Sequence, residues 1–350
     1  MTRSLILILS FTVSVFSAPL NEKVMICGVC RNVEKELACT MKMTEEIGAL
    51  FQEYRIVIYE NNSTDWTVPI LKEWERRNPR VYVMSENLSH SELTNQIVNR
   101  LKDESFYRPE LIARARNIVL DRVLSDDYAE FPYIIWVDMD FRRPASLEGI
   151  VEIFRSDREW DAVFAYGIDP WDVYWDWYAF RDDRCPLGSE LLGNDWWYVP
   201  KIWGLSASDE WYPVYSAFGG CGIYKKSSIA GCRYAAVVTK DLEEVAKQCI
   251  HKGIQTDHPQ IKAYLELNKQ VSSTVTIDRA VSGLPMILDP TKGILCSNSD
   301  DALIWRMSSF VYQYPSVCEH VTFHASMIVR GHGKLFINPR LIFRYGIGRE

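Results

Sequence analysis

The chain has no surplus of positive charge. Its formal net charge is −7 over 350 residues. No general basic field is therefore available for nucleic acid, and any phosphate must be met by a local site. There is no second Cys-x-x-Cys to pair with Cys27-Gly-Val-Cys30, which argues against a zinc ribbon. A thioredoxin-like motif needs a helix opening just after the first cysteine, and Val29 and Arg31 give no sign of one. Nine cysteines are an odd count, so an oxidising compartment would still leave one thiol over. No internal repeat or low-complexity tract is present. Outside residues 5–16, no stretch is long and apolar enough to cross a bilayer. That run follows Arg3 and precedes Ser17-Ala18-Pro19, which is the pattern of a signal peptide or anchor over residues 1–18. It is the expected membrane contact. It points to the secretory lumen or cell envelope, with the cytosolic face left open. Asn61, Asn62 and Asn87 stand in Asn-x-Ser/Thr sequons, so a lumenal location raises the question of glycans there.

What is present is ordinary globular material, 47% hydrophobic and 24% charged, enough for a sizeable core. Residues 24–30, 55–60 and 80–84 read as buried strands. Asn32 can cap a helix after the first, and a helix over residues 66–77 follows the second. Pro109 opens a helix bearing Arg114, Arg116 and Asn117. Residues 133–137 and 161–166 read as further strands, with a short helix between them. This alternation predicts parallel βαβ units with right-handed crossovers. The expected fold is α/β, with a Rossmann-like, mostly parallel central sheet and flanking helices in a single large domain. A nucleotide-binding half spans residues 22–166. Residues 167–345 form a second half, with a helical insertion at about 232–317. Within it, residues 240–267 read as one charged surface helix, 271–277 as a strand and 285–299 as a loop.

The chemistry centres on Tyr133-Ile-Ile-Trp-Val-Asp-Met-Asp140. A short apolar run fits a strand buried on both faces. Its carboxyl end is where open α/β sheets place ligands. In extended backbone Asp138 and Asp140 project to one side. Two such carboxylates suit Mg2+ or Mn2+, which in turn can hold a diphosphate. The plain alternative is a solvated turn. Arg114 or Arg116 can fork onto the diphosphate, or simply face solvent. Between residues 167 and 215 lie seven of the twelve tryptophans, Trp175, Trp177 and Trp196 among them. They are interleaved with aspartates, including Asp176 and Asp182. Aromatic faces beside carboxylates suit sugar rings, and they also suit a packed, loop-rich subdomain. Gly219-Gly220 suggests close backbone approach. Glu319-His320 and His324 make a compact acid-plus-imidazole group, and imidazole suits Mn2+ better than Mg2+. The two rings share a face only if the segment is helical.

The order of these motifs resembles the metal-dependent nucleotide-sugar glycosyltransferases of the A-type fold. The residues that carry it are Tyr59-Glu60-Asn61-Asn62-Ser63-Thr64-Asp65, the Ala113-to-Asn117 helix, Asp138-Met139-Asp140, Phe218-Gly219-Gly220 and Glu319-His320. Within that fold the pattern is closest to the capsule-associated α-mannosyltransferase type, where a segment like Tyr174, Trp177, Arg181, Asp182 recurs. The resemblance covers about residues 22–225 and 318–340. It implies transfer of a hexosyl or pentosyl group from a UDP- or GDP-linked sugar to a hydroxyl on a glycan or glycoconjugate, with Mn2+ or Mg2+. It implies Glu60, Asn62 and Asp65 at the nucleoside and Arg114 or Arg116 at the diphosphate. Asp140 would bind the metal, Asp138 the ribose or a metal-bound water, and His324 or His320 would close the shell. Glu319 would be catalytic, as a general base if configuration inverts and as an orienting group if it is retained. Trp177, Asp182, Trp196, Gly219 and Gly220 would lie on the acceptor side. A metal-dependent phosphohydrolase or nucleotidyltransferase also fits an Asp-x-Asp. Aspartyl-phosphate enzymes, however, usually carry Thr or Val where Arg142 stands, and near the start of the domain. A non-catalytic sugar-binding protein is the third reading, and intact Asp138, Asp140 and Glu319 oppose it.

Overall fold

The chain begins with strand–helix alternation: β1 (Leu20–Cys30), α1 (Glu34–Gly48), β2 (Phe51–Asn61), α2 (Thr67–Arg77) and β3 (Val81–Glu86). Then come α3 (His90–Thr94), α4 (Arg108–Val123), β4 (Tyr133–Val137), α5 (Glu148–Arg155) and β5 (Ala162–Ile168). The second half holds α6 (Ser189–Leu192), β6 (Tyr212–Pro213), β7 (Cys221–Lys225), α7 (Lys240–Gln255) and α8 (Pro259–Asn268). Four short strands follow, β8 (Thr276–Arg279), β9 (Pro285–Asp289), β10 (Ile294–Ser297) and β11 (Ile304–Arg306), then α9 (Glu319–Val329) and β12 (Leu335–Arg344). The computed structural model describes residues 19–97, 108–193, 204–269, 276–279, 285–289, 294–297, 303–306 and 317–345. The expected leader over residues 1–18 and Trp196 lie outside the described residues. Among those described, no helix is long and apolar enough to cross a membrane.

The central sheet runs β3-β2-β1-β4-β7-β5-β12-β6. β1, β2, β3 and β4 pair in parallel, as do β5 and β12. β7 runs antiparallel between β4 and β5, and β6 antiparallel on β12. This is the expected α/β architecture, a mostly parallel sheet with helices on both faces. Continuous apolar runs build it because a strand covered on both faces has no polar side. In β1, Met25 and Cys27 enter one core while Val24 and Ile26 enter the other. The chain steps from β1 out to β3, then returns to the opposite side of β1 as β4. The carboxyl ends of β1 and β4 therefore flank a topological switch point, where such sheets open a crevice.

Several local expectations change. Asn32 does not cap α1. It sits in the left-handed region at φ 54°, and its Oδ1 accepts the Thr64 N–H at 2.7 Å. The loop after β2 caps the helix instead. Asp65 accepts the Glu34 N–H at 3.2 Å, and Glu34 accepts the Trp66 N–H at 2.7 Å. Residues 240–267 break into two helices at Asp257 (φ 57°), because Pro259 can open a helix but not continue one. The first of them, α7, is no surface appendage: Leu242, Ala246 and Ile250 are buried in the same core as Phe323 of α9. Residues 285–299, expected as a loop, carry β9 and β10 of an antiparallel sheet ordered β11-β10-β9-β8. Cys27 and Cys30 are free thiols.

Gly219 and Gly220 have φ of +63° and +87°, a conformation side chains rarely adopt. A Cβ on Gly219 would also strike the Ala165 carbonyl oxygen of β5. The pair is thus fixed by close backbone packing at the entry to β7, beside the end of β4.

Candidate active site

Side chains alternate along a strand, so Trp136 and Asp138 point to the same face at the end of β4. α4 contributes Arg116 over that face. The Arg116 Nη2 lies 3.3 Å from Asp138 Oδ1, and its Nε lies 3.3 Å from Glu319 Oε1. The guanidinium also stacks over Phe218 (4.8 Å) and Trp136 (5.2 Å). Glu319 stands in the first turn of α9, where the helix dipole favours a carboxylate. One buried arginine therefore joins two carboxylates from opposite ends of the chain.

The Asp-Met-Asp turn is held from three sides. The Thr40 hydroxyl of α1 lies 3.2 Å from both the Met139 and the Phe141 carbonyl oxygens. The Asp138 N–H donates to the Gly220 carbonyl at 3.0 Å. On β1, a Cβ at Gly28 would come within 2.7 Å of the Met139 sulfur, so only glycine lets that side chain close in. Asp138 ends up half-buried against Arg116, and Asp140 is exposed.

Two further groups complete the site. Asp176 Oδ2 accepts the Gly219 N–H at 3.0 Å. The Tyr345 hydroxyl, just past β12, lies 3.4 Å from Asp138 Oδ2. Neither was singled out from the sequence as a site residue. The interleaving of aspartate and tryptophan was a signal for Asp176. Tyr345 had none, because β12 reaches the site only through its pairing with β5.

Asp140, Asp176 and Glu319 all act on Asp138, with Arg116 set against Asp138, Asp176 and Glu319 and Arg108 against Asp140. Burial pushes the Asp138 carboxyl up to about 8; Arg116 opposes this, while Asp140, Asp176 and Glu319 add to it. Burial lifts Asp176 to about 6, against the Gly219 N–H, with Glu319 adding to the rise. Asp140 is also raised: its surface is open, but the surrounding protein displaces much of its hydration. Such a deficit of positive charge among hard oxygen donors fits a divalent cation. Among the described residues no three His, Cys, Asp or Glu side chains are placed to hold a metal by themselves. Two carboxylates fit an ion whose other ligands are water and phosphate.

This predicts a pH effect. Asp138 holds its proton more tightly in the folded chain than in the unfolded one, where a carboxyl titrates near ~3.9. Its contribution without metal is therefore most favourable below about pH 4 and declines as pH rises towards 8. The side chain is 27% exposed, so water screens part of the effect. The loss should be on the order of 1–2 kcal/mol. Urea unfolding of native and Asp138→Asn chains at about pH 5 and about pH 8 measures it. The difference between the two pH values should shrink in the variant; an unchanged difference refutes the assignment.

His324 does not sit as a ligand. α9 is helical, so His320 and His324 do share a face, with ring centroids 5.8 Å apart. That face is core. His324 is fully buried, with Nδ1 2.9 Å from Ser216 Oγ and Nε2 2.9 Å from the Tyr224 hydroxyl. Both ring nitrogens are engaged, leaving no lone pair for a metal. Burial lowers it to about 3, helped by Arg116, so the ring is neutral. His320 stacks on Phe218 at 4.0 Å, and its Nε2 lies 3.6 Å from Glu319 Oε1. Burial and Arg116 hold it neutral as well.

The side chains expected at the nucleoside are occupied within their own loop. Glu60 is buried, accepting the Ser63 N–H and the Ser85 hydroxyl, each at 2.7 Å. Asn62 takes φ 56° and donates to the Leu88 carbonyl at 2.7 Å and to Asn87 Oδ1 at 3.1 Å. Asp65 caps α1, as described. Arg114 is turned towards β2 and β3, donating to the Tyr59 hydroxyl at 2.6 Å and to Glu86 at 2.8 Å. On the expected acceptor side, Trp177 packs edge-on against Tyr174 at 5.4 Å. Asp182 is buried and braces a turn through the Cys185 N–H (2.7 Å) and the Tyr212 hydroxyl (2.6 Å). Dense polar turns satisfy themselves first, and these side chains already have partners within the protein.

No protein-family profile matches the chain, and no curated protein matches it in sequence. Among solved structures it is similar to the mannosyltransferase PcManGT from Pyrobaculum calidifontis, in complex with GDP-Man and Mn2+. That match has 14% identity and a TM-score of 0.35 over 67% of this chain and 53% of that one. Another is S. aureus TarS 1-349 in complex with UDP-GlcNAc, at 14% identity and a TM-score of 0.34 over 61% and 48% of the two chains. A third is glucosyl-3-phosphoglycerate synthase from Mycobacterium tuberculosis in complex with UDP, at 11% identity and a TM-score of 0.34 over 84% and 90%. The match spans about half the length of the first two. Likeness this distant says nothing of substrate or reaction, which rest on the site itself.

Proposed function

We propose that the chain is a glycosyltransferase that moves a sugar from a nucleoside diphosphate sugar to a hydroxyl acceptor, with a divalent cation at Asp138-Met139-Asp140. The observation that carries this is the Asp138–Arg116–Glu319 chain of ion pairs at the switch point of the sheet. Crevices at that point in α/β sheets take nucleotides. The carboxylate excess around Asp138 asks for a cation of the kind that escorts diphosphate. The motif order set out above supports the same reading.

Asp140 and Asp138 would hold the Mn2+ or Mg2+, which as a Lewis acid would neutralise the departing diphosphate. The chain's own residues do the rest. Arg116 holds Asp138 against the sheet and screens it from Glu319. Glu319, buried and paired, is a positioning residue for Arg116 rather than the general base the motif order implied. Asp176, half-buried and held by the Gly219 N–H with the Ala179 N–H acting on it as well, is the carboxylate assigned to the incoming hydroxyl.

The test is a thermal-shift panel of UDP- and GDP-linked sugars, with and without Mn2+. GDP-mannose comes first, on the strength of the capsule-type pattern. A donor at one hundred times its dissociation constant should stabilise the fold by about 3 kcal/mol, and only with metal. Release of nucleoside diphosphate without inorganic phosphate separates transfer from phosphohydrolysis. No metal-dependent shift with any donor overturns the proposal.

A further inference from the structure

The loop after β5 sets an aromatic face beside the reacting carboxylates. Asp169 Oδ1 accepts the Trp171 and Val173 N–H groups, both at 2.9 Å, and folds the loop back. The Trp175 N–H then donates to the Gly167 carbonyl at 2.9 Å, and Arg344 pins Asp172 at 2.6 Å. So anchored, Trp175 is still 47% exposed, an unusual position for a large apolar ring on a braced loop. Its ring lies 6.3 Å from that of Tyr345, whose hydroxyl meets Asp138. The next residue, Asp176, is bound to Gly219, and Gly220 in turn binds the Asp138 backbone. The Trp175 ring, the Asp176 carboxylate and Asp138 are thus fixed in one short hydrogen-bonded frame, with the Ala179 N–H acting on Asp176 as well.

The geometry points to Trp175, Asp176 and Tyr345 as the acceptor subsite, built for an uncharged pyranose ring. This rests on the glycosyltransferase reading and names its acceptor class. A pyranose stacks its C–H face on Trp175 and donates a hydroxyl proton to the Asp176 carboxylate. Tyr345 bounds the ring on the side of Asp138. The class follows from charge. Asp138, Asp140, Asp176 and Glu319 outnumber Arg116 and Arg108, and a bound diphosphate brings as much negative charge as its cation offsets, so a phosphorylated or uronic acceptor is repelled while a neutral polyol is not. Asp176 is lifted only to about 6, so above pH 7 it is mostly ionised and accepts hydrogen bonds.

Calorimetric titration of the full chain with octyl pyranosides, in the presence of Mn2+ and UDP or GDP, tests this. At least one neutral pyranoside should bind. Trp175→Ala should weaken it about tenfold or more, Trp175→Tyr less, and Asp176→Asn should weaken it too. In the Trp175 variants the nucleotide and Mn2+ thermal shift should stay as in the native chain. Trp175 is exposed, so the variant should fold. Native-like pyranoside binding by Trp175→Ala, with the nucleotide shift intact, overturns the subsite alone. Loss of the nucleotide shift in Trp175→Ala overturns it in favour of a nucleoside platform. Tighter binding of an octyl glucuronide than of the neutral glucoside overturns the acceptor class. Absence of any nucleotide shift in the native chain overturns the transferase reading beneath it.

Discussion

Arg116→Met should destabilise the protein by about 3–5 kcal/mol, because it leaves Asp138 and Glu319 facing each other without a counter-charge. Methionine has nearly the right length to lie on Phe218 and Trp136, so the lost packing is small and the lost charge dominates. Arg116 is 3% exposed, and water cannot replace it. Burial and two nearby carboxylates act on its guanidinium, and the net effect favours the charged form even more than usual. Urea unfolding with an unchanged denaturant slope measures the loss. The loss should be largest at about pH 9, where Asp138 is ionised, and smaller at about pH 7 and below, where Asp138 is mostly protonated and one of the two stranded charges is gone. A cost below about 1 kcal/mol would show that the ion-pair chain does not organise the site.

Asp140→Ala should leave folding almost unchanged and lower metal-dependent nucleotide release at least about 100-fold, the equivalent of about 2.7 kcal/mol in the transition state. The side chain is exposed, so its removal opens no cavity. It also relieves part of the crowding that raises Asp138. Unfolding free energy should stay within about 0.5 kcal/mol of native. Initial rates at saturating donor, across a Mn2+ titration, give the result. Turnover equal to native at saturating Mn2+ would sink the metal role of Asp140. A large fall in stability would show that Asp140 holds the turn rather than an ion.

Both expectations separate two kinds of site residue. Asp140 carries function and little structure. Arg116 carries both, and its two partners lie 22 and 203 residues away. The sequence pointed to Arg114 and Arg116 equally, since both lie on one short helical stretch. Packing distinguishes them. Arg114 turns outward to Tyr59 and Glu86, whereas Arg116 turns inward to Asp138. The same holds for the Glu60-to-Asp65 loop and for Asp182, whose residue types signal polar contact without saying with what. A ligand and a neighbouring backbone N–H present the same chemistry to a carboxylate. Here the backbone is close and takes it.

Local pattern alone determined the strands of the first half, their parallel order, and the Asp-Met-Asp turn at the end of β4. Each depends on short-range periodicity and on burial of continuous apolar runs, which neighbouring residues carry. Only the tertiary structure decided that His324 belongs to the core, that Glu319 braces Arg116, and that Trp175, Asp176 and Tyr345 meet Asp138. Those contacts join α4, α9, the loop after β5 and the end of β12. They exist because β7 runs antiparallel between β4 and β5, bringing the carboxyl ends of both parallel groups to one crevice. No segment of the chain encodes that meeting by itself.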